Sequence, residues 1–185
     1  MKNIFSLFLL VLGLSLPLSV SYTSYGLVKE WEGPGMLVES LARQFNRPLS
    51  EVREIVKYAY TLGNPTKFPT PIDILAVVAV ESRFDFKAKH PVGPSVGLMQ
   101  INFGVHKTPN LYDVKTNMVK GTQILYEYHK LARSDIRALV YYNAGPGGGR
   151  VICEESCNTP YVEKMLSHKR KFTSYANKER MQCSS

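Results

Sequence analysis

Thr70-Pro71-Ile72-Asp73-Ile74-Leu75-Ala76-Val77-Val78-Ala79-Val80-Glu81-Ser82-Arg83-Phe84-Asp85 is the stretch that decides the fold. It opens as a helix: the threonine caps, the proline takes the first helical position, and the aspartate suits the positive end of the dipole. From Ile74 to Val80 every residue is apolar. The run then ends on a carboxylate, Glu81. Carboxylates are seldom buried without a reason. Desolvation raises the pKa of such a group and leaves a protonated acid able to donate near neutral pH.

The segments on either side also read as helices. Leu37, Val38, Leu41, Ala42 and Phe45 recur at helical spacing. Val52, Ile55, Val56 and Ala59 repeat the pattern, with Ser50 as the expected cap and Gly63-Asn64-Pro65 as the stop. His90 to Gly97, with two prolines and two glycines, is expected as a loop. Asp113 is placed to cap a helix whose broad face carries Met118, Gly121, Leu125, Tyr128, Ile124 and Leu131. Ser134 starts another, expected to end at Asn143-Ala144-Gly145 with Pro146 to Gly149 as a flexible exit. Thr159-Pro160 opens a last amphipathic helix. Strand signals are few, so the class is mainly α with little or no sheet.

The 185 residues suffice for one domain with a proper core. Residues 1–21 have the layout of a secretory signal: Met1-Lys2-Asn3, an apolar stretch from Ile4 to Leu16, then Ser19-Val20-Ser21 as a cleavage site. Its apolar core is short for a membrane span, so no span is expected in the mature chain, with an uncleaved N-terminal anchor as the alternative. Residues 22–69 are expected as a helical extension and 167–185 as a basic tail. The formal charge of +8 suits an anionic polymer or envelope surface. Nucleic acid is disfavoured because the basic residues are scattered, and the one dense cluster, His168-Lys169-Arg170-Lys171, is read as a solvated helix end. Cys153, Cys157 and Cys183 allow three alternative single bridges and always leave one thiol over. Cys-x-x-x-Cys without a nearby histidine does not make a metal site, and no cofactor is expected.

Glu81-Ser82-Arg83-Phe84, Gly97-Leu98-Met99-Gln100, the Asn117, Gly121 and Leu125 positions, Tyr142-Asn143-Ala144-Gly145-Pro146-Gly147 and Tyr161-Val162-Glu163-Lys164 occur in that order. Together they resemble the soluble lytic transglycosylase family of the lysozyme superfamily, over about Thr70 to Leu166. The resemblance implies a lysozyme-like α-helical domain at 70–166 that acts on peptidoglycan glycan strands. It implies cleavage of the β-1,4 bond between N-acetylmuramic acid and N-acetylglucosamine without water, leaving 1,6-anhydro ends. Glu81 is then general acid and afterwards base, and Tyr142 is expected to hydrogen-bond it, with a place in the aromatic core as the alternative. Ser95, Met99, Gln100, Tyr142 and Asn143 are the implied substrate contacts, with Met99 equally suited to the core. Pro94 and Val96 depart from the family's more usual loop, which bears on Ser95.

Asp85 is the one nearby candidate for the second carboxylate that hydrolysis uses, and a structural role is the preferred reading. The competing functions are a hydrolytic muramidase of the same fold and a noncatalytic peptidoglycan-binding component. The expected location is the periplasm or cell envelope, with an envelope-spanning secretion or conjugation apparatus as a candidate partner.

Overall fold

The computed structural model describes residues 33–182; the expected signal segment and Cys183 lie outside the described residues. The described residues form seven helices and one small hairpin: α1 Gly35–Phe45, α2 Leu49–Leu62, α3 Pro71–Glu81, β1 Ser95–Val96, β2 Ile101–Asn102, α4 Phe103–His106, α5 Val114–Ala132, α6 Asp135–Glu155 and α7 Pro160–Gln182. The fold is mainly α and lysozyme-like. The two strands pair antiparallel, Ser95 opposite Asn102 and Val96 opposite Ile101.

Helix α3 is the centre. Ile74, Leu75, Ala76, Val77 and Val78 have no exposed surface, and α2 and α7 pack on the helix. Its start is a reciprocal cap. Thr70 Oγ1 accepts from the Asp73 amide at 3.2 Å, and Asp73 Oδ2 accepts from the Thr70 amide at 2.9 Å. The other oxygen of buried Asp73 receives Lys169 Nζ at 2.7 Å, so the cap is also a tie to α7. Asp113 caps α5 through the Thr116 amide at 2.8 Å, and Ser134 caps α6 through the Arg137 amide at 3.4 Å.

Four local expectations need correcting. Helix α2 begins at Leu49, after Pro48, and no side chain caps it, so Ser50 is the second helical residue rather than the cap. Leu131 is 59 % exposed and lies off the buried face of α5. The chain does not leave helix for good at Gly145. That glycine alone is non-helical, at φ 70° and ψ 161°, and helix resumes at Pro146 and runs to Glu155. Proline at a first helical position, with no amide to satisfy, explains the restart. Cys153 and Cys157, at the end of this second segment, are joined in a disulfide.

The fourth correction concerns residues 167–185. The chain is helical through Gln182, and Phe172 is fully buried while Ala176 is nearly so. Phe172 meets Phe45 of α1 and Phe84 beyond α3, with ring centroids 6.3 and 6.5 Å away. What reads as a basic tail is therefore the exposed side of a core helix. No helix among the described residues is long and apolar enough to cross a membrane.

Truncating a buried phenylalanine removes apolar burial and leaves a cavity. Phe172→Ala is expected to lower the unfolding free energy by about 3–5 kcal/mol in urea denaturation. A change within about 0.5 kcal/mol, as for a surface substitution, would show that this part of α7 does not belong to the core.

Candidate active site

Glu81 is the last residue of α3. Ser82 is the C-cap, its amide and its hydroxyl both donating to the Val78 carbonyl, each at 3.1 Å. Arg83 and Phe84 then adopt left-handed conformations, φ 53° and 62°. Such residues cost roughly 1–2 kcal/mol each. Burial of the Phe84 ring, 4.8 Å from Phe45 centroid to centroid, offsets much of that. From outside, Arg47 clamps the turn: its Nε donates to the Arg83 carbonyl at 3.3 Å and its guanidinium meets Asp85 Oδ2 at 3.1 Å. The other Asp85 oxygen accepts from the Lys87 amide at 2.9 Å. Asp85 thus holds the turn and is not carried on the helix face that presents Glu81.

The partner of Glu81 comes from α7. Tyr161 donates its hydroxyl to Glu81 Oε1 at 2.7 Å. The surrounding apolar packing raises the glutamate to about 7, and the tyrosine's hydrogen bond opposes that by favouring the carboxylate. The C-terminal end of α3 acts in the raising direction as well, because helix dipoles disfavour negative charge there. Tyr161 is itself pushed well above its ordinary value, by burial first and then by the neighbouring Glu81 charge, so it stays a donor.

Tyr142 was expected in that place, and the structure corrects it. Its hydroxyl donates to the Met99 carbonyl at 2.8 Å, tying α6 to the loop between the strands. That loop is built around one side chain, Asn117 of α5, which is 1 % exposed. The Asn117 amide nitrogen donates to Val96 O at 3.0 Å and Leu111 O at 2.8 Å, while its oxygen accepts from the Met99 amide at 2.8 Å. Gly97, at φ 77°, passes so close to Asn117 that a side chain would strike its amide nitrogen. Gln100, at φ 48°, donates its side-chain amide to Gly97 O at 3.0 Å and Ala88 O at 3.3 Å. Its nitrogen is committed to the loop, and its carbonyl oxygen is the part left for another donor.

Met99 is a second correction. It is fully buried, and a Cβ on Gly121 would meet its sulfur and lie 2.7 Å from its Cβ. It fills the core between loop and α5, where Gly121 makes room, and it is not a groove wall.

Glu81, Ser95, Gln100, Tyr142 and Asn143 do come together, along one groove of about 590 Å³. Among the described residues, Glu81 is the only carboxylate on its lining. His90, Asn102, His106 and Tyr128 also line it, and the sequence reading missed them. His90 Nδ1 accepts from the Val92 and Gly93 amides at 3.3 and 2.8 Å, which shapes the loop beside Ser95. Asn102 Oδ1 accepts from the Val105 amide at 3.2 Å. Burial first, and then Lys120, lower His106, so it is neutral at physiological pH. Tyr161 lay within a motif quoted from the sequence, but nothing there told which of two tyrosines reaches the glutamate.

Residues 70–156 match the family model described as Transglycosylase SLT domain. Over those residues the chain is similar to an SLT-type, lysozyme-like domain. No curated protein and no solved structure matches it. The matched SLT residues contain Glu81, the Asn117-centred loop and Tyr142, but stop short of Tyr161. The hydroxyl that holds the glutamate therefore comes from a helix beyond the matched residues.

In the unfolded chain Glu81 titrates near 4.5, against about 7 in the fold. Below 4.5 the group is neutral in both states. As pH rises from there, the unfolded chain ionises first and the fold loses up to roughly 3 kcal/mol. Glu81→Gln stays neutral throughout. It is expected to melt at a higher temperature than the parent at about pH 8, with the gap closing by about pH 4 in thermal denaturation. A gap independent of pH would place Glu81 in an ordinary hydrated setting.

Proposed function

We propose that the protein is an exported peptidoglycan lytic transglycosylase. The bond it cuts is the N-acetylmuramic acid to N-acetylglucosamine β-1,4 linkage, and 1,6-anhydro-N-acetylmuramic acid ends are its product. The SLT family assignment supports transglycosylase chemistry on peptidoglycan in general. The observation that carries the finer reading is a groove with a single carboxylate, raised to about 7 and held by a tyrosine hydroxyl.

Oε1 already accepts from the Tyr161 hydroxyl, so the proton of neutral Glu81 belongs on Oε2. From there it passes to the glycosidic oxygen as the bond from C1 of the muramic sugar to that oxygen breaks. The substrate's N-acetyl group stabilises the electron-poor C1. The carboxylate then takes the proton of the C6 hydroxyl, whose oxygen bonds to C1 and closes the anhydro ring. Glu81 ends as it began, and no water is consumed. One group serving as acid and then base works best with a pKa near the working pH, which desolvation supplies here. Two-carboxylate hydrolysis needs a partner about 5–9.5 Å from the acid. Asp85, the nearby alternative, is bound to Arg47, which favours cyclisation over hydrolysis.

Ser95, Gln100 and Asn143 are the groove groups proposed to bind sugar hydroxyls and the N-acetyl amide, with Tyr142 as an aromatic wall. Residues 1–21 are proposed to direct export to the periplasm or cell envelope. Mass spectrometry of muropeptides released from purified sacculi is expected to show anhydromuramic ends that disappear with Glu81→Gln. Reducing muramic ends would make the protein a hydrolase, and sacculus binding without products would make it a noncatalytic wall binder.

A further inference from the structure

Helix α5 has a second groove on its other side. Val119 and Tyr128 are about two and a half helical turns apart and so point in opposite directions. Tyr128 lines the catalytic groove, whereas Val119 lines one of about 910 Å³ bounded by the loop between α2 and α3. Phe68 and Pro69 border it from that loop but are themselves buried, and Val119 and Tyr126, 42 % and 50 % exposed, supply its open apolar surface. Large apolar side chains left this open on one concave face mark a binding surface.

The rim has one sign of charge. Lys67, Lys130 and Arg133 stand around the groove, and no carboxylate among the described residues lines it. His129, the fourth basic group, is already engaged by Asp135 at 2.9 Å and lies against the Phe68 ring at 5.0 Å. Lys67, Lys130 and Arg133 have no ion pair among the described residues, although Lys130 Nζ lies over the Tyr126 ring, 5.5 Å from its centroid. The floor also contains Thr122, whose Oγ1 is the one buried side-chain polar atom without a hydrogen-bond partner among the described residues. The wall is held in shape before anything binds: Asn64 Oδ1 accepts from the Thr66 and Lys67 amides, both at 2.9 Å, and the Asn64 amide donates to Pro69 O at 3.0 Å.

We propose that this groove docks an acidic peptide segment of a partner protein, with a large apolar side chain seated between Phe68, Val119 and Tyr126. Flanking carboxylates meet Lys67, Lys130 and Arg133. A glycan strand supplies hydroxyls but no large apolar group to fill the floor, so a polypeptide suits it better. Because the two grooves lie on opposite faces of α5, the protein can hold such a partner while the catalytic groove is occupied. The inference does not depend on which reaction Glu81 performs.

A random dodecapeptide display library panned on the purified protein tests it. Enriched sequences are expected to pair a Phe, Leu or Trp with neighbouring Asp or Glu. Labelled copies are expected to bind in fluorescence anisotropy and to weaken roughly tenfold or more with Val119→Glu or with Arg133→Glu, and with added salt. Both positions are exposed, and unchanged melting temperatures and muropeptide release would show that fold and catalytic groove are intact. Enriched peptides without acidic residues, peptides that bind both variants as well as the parent, or no enrichment at all would each overturn the proposal. So would concentration-dependent self-association that the two substitutions abolish, which would assign the groove to a second copy of the chain.

Discussion

The 2.7 Å bond between Tyr161 and Glu81 joins residues eighty positions apart and fixes the chemistry of the groove. It forms only because α3 and α7 are packed against each other along their lengths. That packing rests on buried apolar side chains and on Lys169 reaching the capping aspartate, Asp73. Helix α1 contributes from a distance, through Phe45 against Phe84 and Phe172. The turn that ends α3 is thereby held between a ring cluster on one side and Arg47 on the other. A carboxyl at the end of so enclosed a helix has no route to full hydration. Its high pKa follows from the fold and not from a neighbouring charge.

The opposite wall of the groove obeys a different constraint. Residues 97–100 have no long strand or helix to hold them, and two of them, Gly97 and Gln100, have positive φ. One buried amide, Asn117, satisfies three backbone groups there, and leaving such groups unpaired would cost about 1–3 kcal/mol each. Gly121 lets Met99 drop onto α5, and Tyr142 closes the loop from α6. Ser95 and Gln100 are thus placed by groups that need not touch a substrate. The kink at Gly145 redirects α6 so that Asn143 and Pro146 both border the groove.

The central helix, its caps and the desolvated glutamate were legible in the sequence because each has a local signature. An unbroken apolar run, a Thr-Pro-x-Asp start and a terminal carboxylate need no knowledge of distant residues. The choice between tyrosines was not legible. Tyr142 and Tyr161 are both aromatic residues near a helix start or end, and only tertiary packing decides which hydroxyl reaches Glu81. Met99 was ambiguous for a related reason: glycine at 121 looks like a helix flaw until the sulfur above it is seen. The basic cluster at 168–171 concealed the buried side of α7, since Phe172 and Ala176 are outnumbered by charged neighbours. The groove beside Phe68 left no sequence signal, because its walls come from a loop and the far face of a helix.

Direct titration of the Glu81 side-chain carboxyl by carbon NMR, assigned by comparison with Glu81→Gln, tests the central claim most closely. The account predicts a midpoint of about 7, moving higher in Tyr161→Phe because that hydrogen bond favours the carboxylate. A midpoint near the ordinary 4.5, unmoved by loss of the tyrosine hydroxyl, would contradict it.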